Sequence, residues 1–165
     1  MVHQSTNRLV ITTPSDLEIV ARRVFDAPRE LVFDAWTKPE HLRRWFGREG
    51  DELIICEVDL RPGGRYRFVW RLREGGQMGL GGEYREVVRP ERFVATEVFE
   101  GDEMEVMGGG TLNTTTFEER DGKTLMTITS LYRSREARDS AIATGMESGM
   151  VETTDRLEKL LAALP

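Results

Sequence analysis

Between residues 65 and 73 the chain reads RYRFVWRLR, and apolar and polar positions alternate. Tyr66, Phe68, Trp70 and Leu72 point one way; Arg65, Arg67, Val69, Arg71 and Arg73 point the other. That period of two predicts a strand with one packed face and one wet face. LEIVARRVFDAP (17–28), ELIICEVDL (52–60), MGLGGEYREVV (78–88) and RFVATEVFE (92–100) read as further strands, rich in β-branched and aromatic residues. TLNTTTFEER (111–120) and KTLMTITSLY (123–132) flank Asp121-Gly122, a hairpin turn signal. Arg61-Pro62-Gly63-Gly64 and Glu74-Gly75-Gly76 are turns, and an acidic link runs from Gly101 to Gly110.

Elsewhere the period lengthens. PRELVFDAWT (28–37) places Leu31, Val32, Ala35 and Trp36 at helical spacing, with Pro28 suited to its first turn. Lys38-Pro39 breaks it, and PEHLRRWF (39–46) follows as a second short helix with Leu42, Trp45 and Phe46 on one face. At the C-terminal end, Ala141, Ile142, Met146, Gly149, Met150, Thr153, Leu157, Leu160, Leu161 and Leu164 form one stripe. This predicts a single helix of about 28 residues starting near Ser134, roughly 42 Å long at 1.5 Å per residue. Gly145 and Gly149, each followed by methionine, weaken that helix, since glycine costs about 0.8–1 kcal/mol relative to alanine.

The order is therefore strand, two short helices, six strands, long helix: an α+β chain with a seven-stranded antiparallel sheet. Such a sheet must cover its apolar face, and only the terminal helix is long enough. The expected architecture is a curved sheet wrapped around that helix, with the two short helices plugging one end. Residues 17–165 read as one domain, preceded by a loosely held leader over 1–16 in which RLVIT allows one more short strand.

Bulk properties narrow the function. The 165 residues carry 39% hydrophobic and 32% charged side chains, so the chain reads as soluble and globular. A net charge of -6 argues against a general nucleic-acid binder. The single cysteine, Cys56, excludes an internal disulfide and fits a reducing cytoplasm. No apolar run has the length of a membrane span and the N-terminus does not read as a secretory signal. One histidine outside the leader, His41, builds no typical zinc site, so no metal or cofactor is expected. No Gly-x-Ser-x-Gly motif accompanies His41, and neither PGG (62–64) nor GGG (108–110) is a phosphate loop.

RVFDAPRELVFDAWTKPEHLRRWFG resembles the opening motif of the bacterial proteins named after the activator of heat-shock-protein-90 ATPase, within the START/Bet v 1-like (SRPBCC) superfamily. LRPGGRYRFVW, GGEYREVVRPERFVATEVF, TTTFEERDGKTLMTITSLY and ARDSAIATGMESGMVETTDRLEKLL resemble later blocks of the same family, in the same order. The resemblance covers about residues 18–162. It implies a helix-grip fold with an apolar cavity between sheet and C-terminal helix, and it assigns no reaction. The chain departs from the family pattern at Trp45-Phe46-Gly47-Arg48, where many members read Trp-Trp-Gly-Pro, and at Gly149-Met150, where many have Gly-Trp. An arginine in place of that proline is expected to free the loop that rims the cavity.

The candidate lining follows from the two periodicities. Tyr66, Phe68 and Trp70 share a strand face, with Tyr84, Phe93 and Phe99 on neighbouring strands. Trp36, Trp45 and Phe46 come from the short helices, and Met78, Met146, Gly149 and Met150 supply adaptable apolar surface or space. Met104, Met107 and Met126 belong to the same methionine set, and ordinary core filling explains any one of these residues equally well. Tyr66, Tyr84 and Glu97 are the candidate catalytic groups. If the face carrying Phe93, Ala95 and Phe99 is inward, Glu97 becomes a buried carboxyl and a general base or ligand anchor. On the outer face it pairs with an arginine instead. Asp34 is expected to face solvent. The arginines at 61, 65, 67, 71 and 73 read as a solvated stripe pairing with acids across strands.

The leading expectation is a binding module for a hydrophobic or aromatic small molecule. The alternatives are a cyclase, aromatase or hydrolase using Tyr66, Tyr84 or Glu97, and a chaperone ATPase co-regulator. A homodimer through a strand edge or the Arg48 loop is compatible with the sequence; nothing in it requires one.

Overall fold

The structure is a computed structural model that describes residues 7–100 and 110–165. The alternating segments become β2 (Glu18–Phe25), β3 (Glu52–Val58), β4 (Arg65–Arg71), β5 (Gln77–Val88), β6 (Arg92–Glu100), β7 (Thr111–Arg120) and β8 (Lys123–Leu131). An eighth strand precedes them: β1 (Val10–Thr12), from the RLVIT stretch, pairs antiparallel with β2. Among the described residues the sheet therefore has eight strands rather than the expected seven, in the order β1-β2-β8-β7-β6-β5-β4-β3. The leader is tied down at its described end, where the Asn7 amide donates to Glu158 at 3.0 Å.

The short helices fall where the prolines put them. α1 (Arg29–Thr37) starts after Pro28, and the Glu119 carboxylate accepts from its Arg29 N–H at 2.8 Å. α2 (Pro39–Trp45) opens on Pro39, whose missing N–H costs nothing at a first helical position. Together they plug one end of the curved sheet. Phe25, Val32, Phe33, Leu42, Phe117, Met126 and Leu157 are fully buried there.

The C-terminal stripe forms two helices, not one: α3 (Arg135–Ala143) and α4 (Met146–Ala163). Ser134 caps α3 by accepting from the Ala137 N–H. Thr144 ends it and Gly145 adopts φ +81°, a left-handed geometry that stops one helix before the next begins. The stripe is broken with the helix. Ala141 is buried, whereas Ile142 faces solvent at 44% exposure instead of joining the core.

The two halves of α4 pack differently, as their sequence dictates. Leu157, Leu160 and Leu161 fill the space above the sheet, each worth about 1.5–3 kcal/mol in burial. The first half, with Gly149, Thr153 and two methionines, leaves room. The grip is solid at one end and hollow at the other.

Two features fix the concave face. Tyr66 pairs with Gly82 in register, and its hydroxyl reaches across β5 to donate to the Thr96 carbonyl at 2.6 Å. A Cβ on Gly82 would stand 1.9 Å from that same oxygen, so only glycine fits. Gly82→Ala should therefore destabilise the protein by at least about 2 kcal/mol, read as a fall in Tm of roughly 4–8 °C. An unchanged Tm would mean the strands can spread without cost.

Outside, the arginine stripe is paired, with Arg67 to Glu100 and Arg71 to Glu52 across strands. Val69 departs from the expected pattern. It is buried on that outer side, between Ile55 and Gly79 in register. Asp34 is likewise engaged, accepting from Arg89 at 2.7 Å. No helix among the described residues is long and apolar enough to cross a membrane.

Candidate functional site

Beneath the first half of α4 lies a cavity of about 380 Å³. Its floor is the concave face of β4–β8, its roof is α3 and α4, and residues of the α1–α2 plug and the loop after it border one end. Tyr66, Phe68 and Trp70 on β4 and Met78 and Tyr84 on β5 line it, as do Glu97 and Phe99 on β6. Trp36 and Phe46 enter from the plug, and Met146, Gly149 and Met150 from the roof. An added Cβ on Gly149 would meet no atom within 4 Å, so the missing side chain leaves open space rather than a close helix–sheet contact. Met78, at 37% exposure, marks the solvent side.

Trp45 does not line the cavity. It is fully buried in the plug, its indole N–H donating to the Ala35 carbonyl at 2.9 Å, with its ring edge-on to Trp36. Helical spacing put Trp45 and Phe46 together, but only Phe46, just past the helix end, turns toward the sheet. Met126 is core as well. Met104 and Met107 lie outside the described residues.

The aromatic wall is continuous. Ring centroids stand 5.1 Å apart for Phe46–Phe68, 5.2 Å for Phe46–Trp70 and 5.3 Å for both Tyr66–Phe68 and Tyr66–Tyr84. Mostly tilted and edge-on contacts of this kind hold rings rigidly. Burial raises the Tyr66 and Tyr84 hydroxyls above the ordinary phenol range, so both are neutral donors rather than ready bases. Tyr66 already donates to Thr96, whereas the Tyr84 hydroxyl has no hydrogen-bond partner among the described residues. The Trp36 indole N–H, buried in the wall, has none either.

One end of the floor is polar. Glu97 faces inward with Ala95 and Phe99, so the arginine pairing open to it on the outer face does not occur. Burial pushes its carboxyl pKa up, opposed by a hydrogen bond from the Asn113 side chain. Asn113, Ser130 and Tyr132 complete the polar end, with Asn113 and Ser130 opposite each other across β7 and β8. Sequence reasoning missed these three. The signal was in the register: away from the Asp121-Gly122 turn, the inward positions pass from Phe117 and Met126, through Thr115 and Ile128, to Asn113 and Ser130.

The loop at the plug is pinned rather than freed. Arg48 donates to Asp51 at 2.9 and 3.1 Å and also to Glu74. Burial works against the Asp51 charge, yet the bonds from Arg48 and the Arg73 N–H outweigh it and hold that carboxyl below its usual range. Arg156 of α4 donates to the Gly47 carbonyl at 2.7 Å, and the Glu49 N–H donates to Glu152 at 2.8 Å. Where the family pattern has proline, this chain substitutes an ion-pair strap. Among the described residues no group of three or more His, Cys, Asp or Glu is arranged to hold a metal ion.

Comparison with known proteins agrees with this architecture. The family model described as Activator of Hsp90 ATPase homolog 1-like protein matches residues 26–162. A solved structure from Rhodobacter sphaeroides is 31% identical, covering 94% of this chain and 99% of that one, with a TM-score of 0.87. One from Staphylococcus epidermidis is 29% identical over 93% and 94% of the two chains, with a TM-score of 0.79. A third, from Silicibacter pomeroyi, is 19% identical over 88% and 98%, with a TM-score of 0.72, and speaks for the fold alone. No curated protein matches the chain. Family model, order of elements and helix-grip neighbours converge: the chain belongs to the family of activator of Hsp90 ATPase homologue 1-like proteins.

Proposed function

We propose that the protein binds a hydrophobic or aromatic small molecule in the cavity between sheet and α4. The observation that carries this is the hollow half of the grip: about 380 Å³ walled by fixed aromatic rings and flexible methionines, with a few convergent polar groups at one end. Such a site is large enough for a small ligand and apolar enough to favour its burial. Nile red, a neutral dye whose emission shifts in apolar surroundings, tests it. Saturable one-to-one uptake with a blue shift is expected, and no saturable uptake overturns the reading.

A second reading is favoured by one observation, the inward carboxyl of Glu97 with Asn113, Ser130 and Tyr132 around it. A carboxyl held above its ordinary pKa has the character of a general acid–base. Recovery of a bound molecule chemically changed after incubation would support this, and recovery unchanged would leave the protein a binder. Regulation of a chaperone ATPase rests on the family's name and on no feature of this site.

A further inference from the structure

The charge on the cavity wall does not balance. Among the described residues, the carboxylate and guanidinium side chains lining it are those of Arg48, Asp51 and Glu97, and no lysine or histidine joins them. Arg48 and Asp51 neutralise each other at the plug, with Glu74 reinforcing Arg48 from outside. Glu97 stands apart and makes no ion pair among the described residues.

Its surroundings suit a positive guest. Tyr66, whose phenol is close enough to feel the Glu97 charge, joins Phe68 and Tyr84 in the ring wall. Ring faces attract cations through their quadrupole, most strongly where water is excluded. A carboxylate at one end of an aromatic wall offers an organic cation both a charge-assisted hydrogen bond and π faces. The roof adds no competing charge, since its contribution beside the methionines consists of Ala141, Thr144, Gly149, Thr153 and Thr154.

We infer that the ligand is an aromatic or hydrophobic amine, bound with its protonated nitrogen at Glu97 and its apolar body against the aromatic wall. This rests on the cavity-binding reading above and names the ligand's chemistry within it. Neutral ligands would leave the carboxyl's desolvation uncompensated, whereas an ammonium supplies the charged partner that Glu97 lacks among the described residues.

The pH behaviour follows. Among the described residues, the titratable groups that feel the Glu97 charge are Tyr66 on β4 and Tyr132 just beyond β8, both raised chiefly by burial, Tyr132 up to about 12. Neither changes charge near neutrality. A bound ammonium favours the ionised carboxyl, so binding expels the Glu97 proton. Affinity for the amine should rise as pH climbs from the ordinary carboxylate range to the raised value, then level off. A neutral analogue should show no such rise.

The test compares naphthylmethylamine with its neutral isostere naphthylmethanol, each displacing Nile red from the native protein. The expected result is binding of the amine about tenfold more tightly, or better, at mildly alkaline pH, consistent with one charge-assisted contact. Glu97→Gln should abolish the preference while still taking up Nile red, and Glu97→Asp, which keeps the charge, should retain part of it. Equal binding of the two probes to the native protein overturns the proposal, as does a preference that survives in a folded Glu97→Gln. Equal binding with intact Nile red uptake leaves the cavity reading standing; loss of Nile red uptake by the native protein removes both.

Discussion

Gly149→Leu should abolish Nile red uptake and leave the protein folded, with a Tm equal to or above that of the parent. Gly149 sits inside α4, on the roof of the cavity, with nothing within 4 Å of the position a Cβ would take. A leucine there starts from open space and is expected to project into the cavity. It also removes a glycine from a helix, a gain of up to about 0.8 kcal/mol. Gly149→Ala is the control: it brings a similar helix gain with a single methyl, and uptake should persist. Gly145 gives the opposite sign. At φ +81° it sits where an L-residue is strained, so Gly145→Ala should cost about 1 kcal/mol although its Cβ also meets open space. Thermal melts and dye titrations on the three variants separate the cases. Uptake that survives Gly149→Leu would place the bound dye elsewhere.

Removing both acids from the Arg23 clamp should be more damaging than removing Arg23. Arg23 on β2 is 3% exposed, lies over the Phe25 ring and donates to Thr154 at 2.8 Å. It pairs with Asp155 at 2.8 Å and Glu158 at 2.9 Å, binding β2 to α4. Its Nε already lacks a partner, so the site has no spare acceptor. The acids are partly hydrated and tolerate loss of the arginine, whereas the buried guanidinium cannot reach water once they are gone. Asp155→Asn with Glu158→Gln strands it, at a cost of about 3–5 kcal/mol. For a chain of this size that is roughly 6–20 °C in Tm. Arg23→Met, apolar and similar in length, should cost less than half as much. If the methionine variant is the weaker fold, the clamp stabilises chiefly through the arginine's packing and not through paired charge.

What was legible in the sequence was local. β7 matches TLNTTTFEER end to end because a two-residue turn fixes one boundary and alternation fixes the rest. β1 was harder, since three residues carry little periodicity. The break at Gly145 was masked by the stripe itself: Ala141 and Met146 face the same way on either side, so the period runs through a point where the helix does not. Trp45 and Phe46 differ by one residue, and the choice between core and cavity was made by the Ala35 carbonyl, ten positions earlier in the chain. Glu97 could not be settled by alternation, which gives two faces but not which one the curved sheet turns inward. The polar end, with Asn113 and Ser130, emerges only when β6, β7 and β8 are in register.

The order of the strands also bears on self-association. An open sheet leaves two edges, and among the described residues they are β1 and β3. β1 offers only three residues, too few for a neighbour to zip onto. β3 is interrupted by a register shift between Leu53 and Ile55 and carries exposed Glu52 and Glu57. Short, kinked or charged edges are poor templates for a further strand. Among the described residues, the rims of the hollow sheet thus offer little for runaway strand-by-strand stacking.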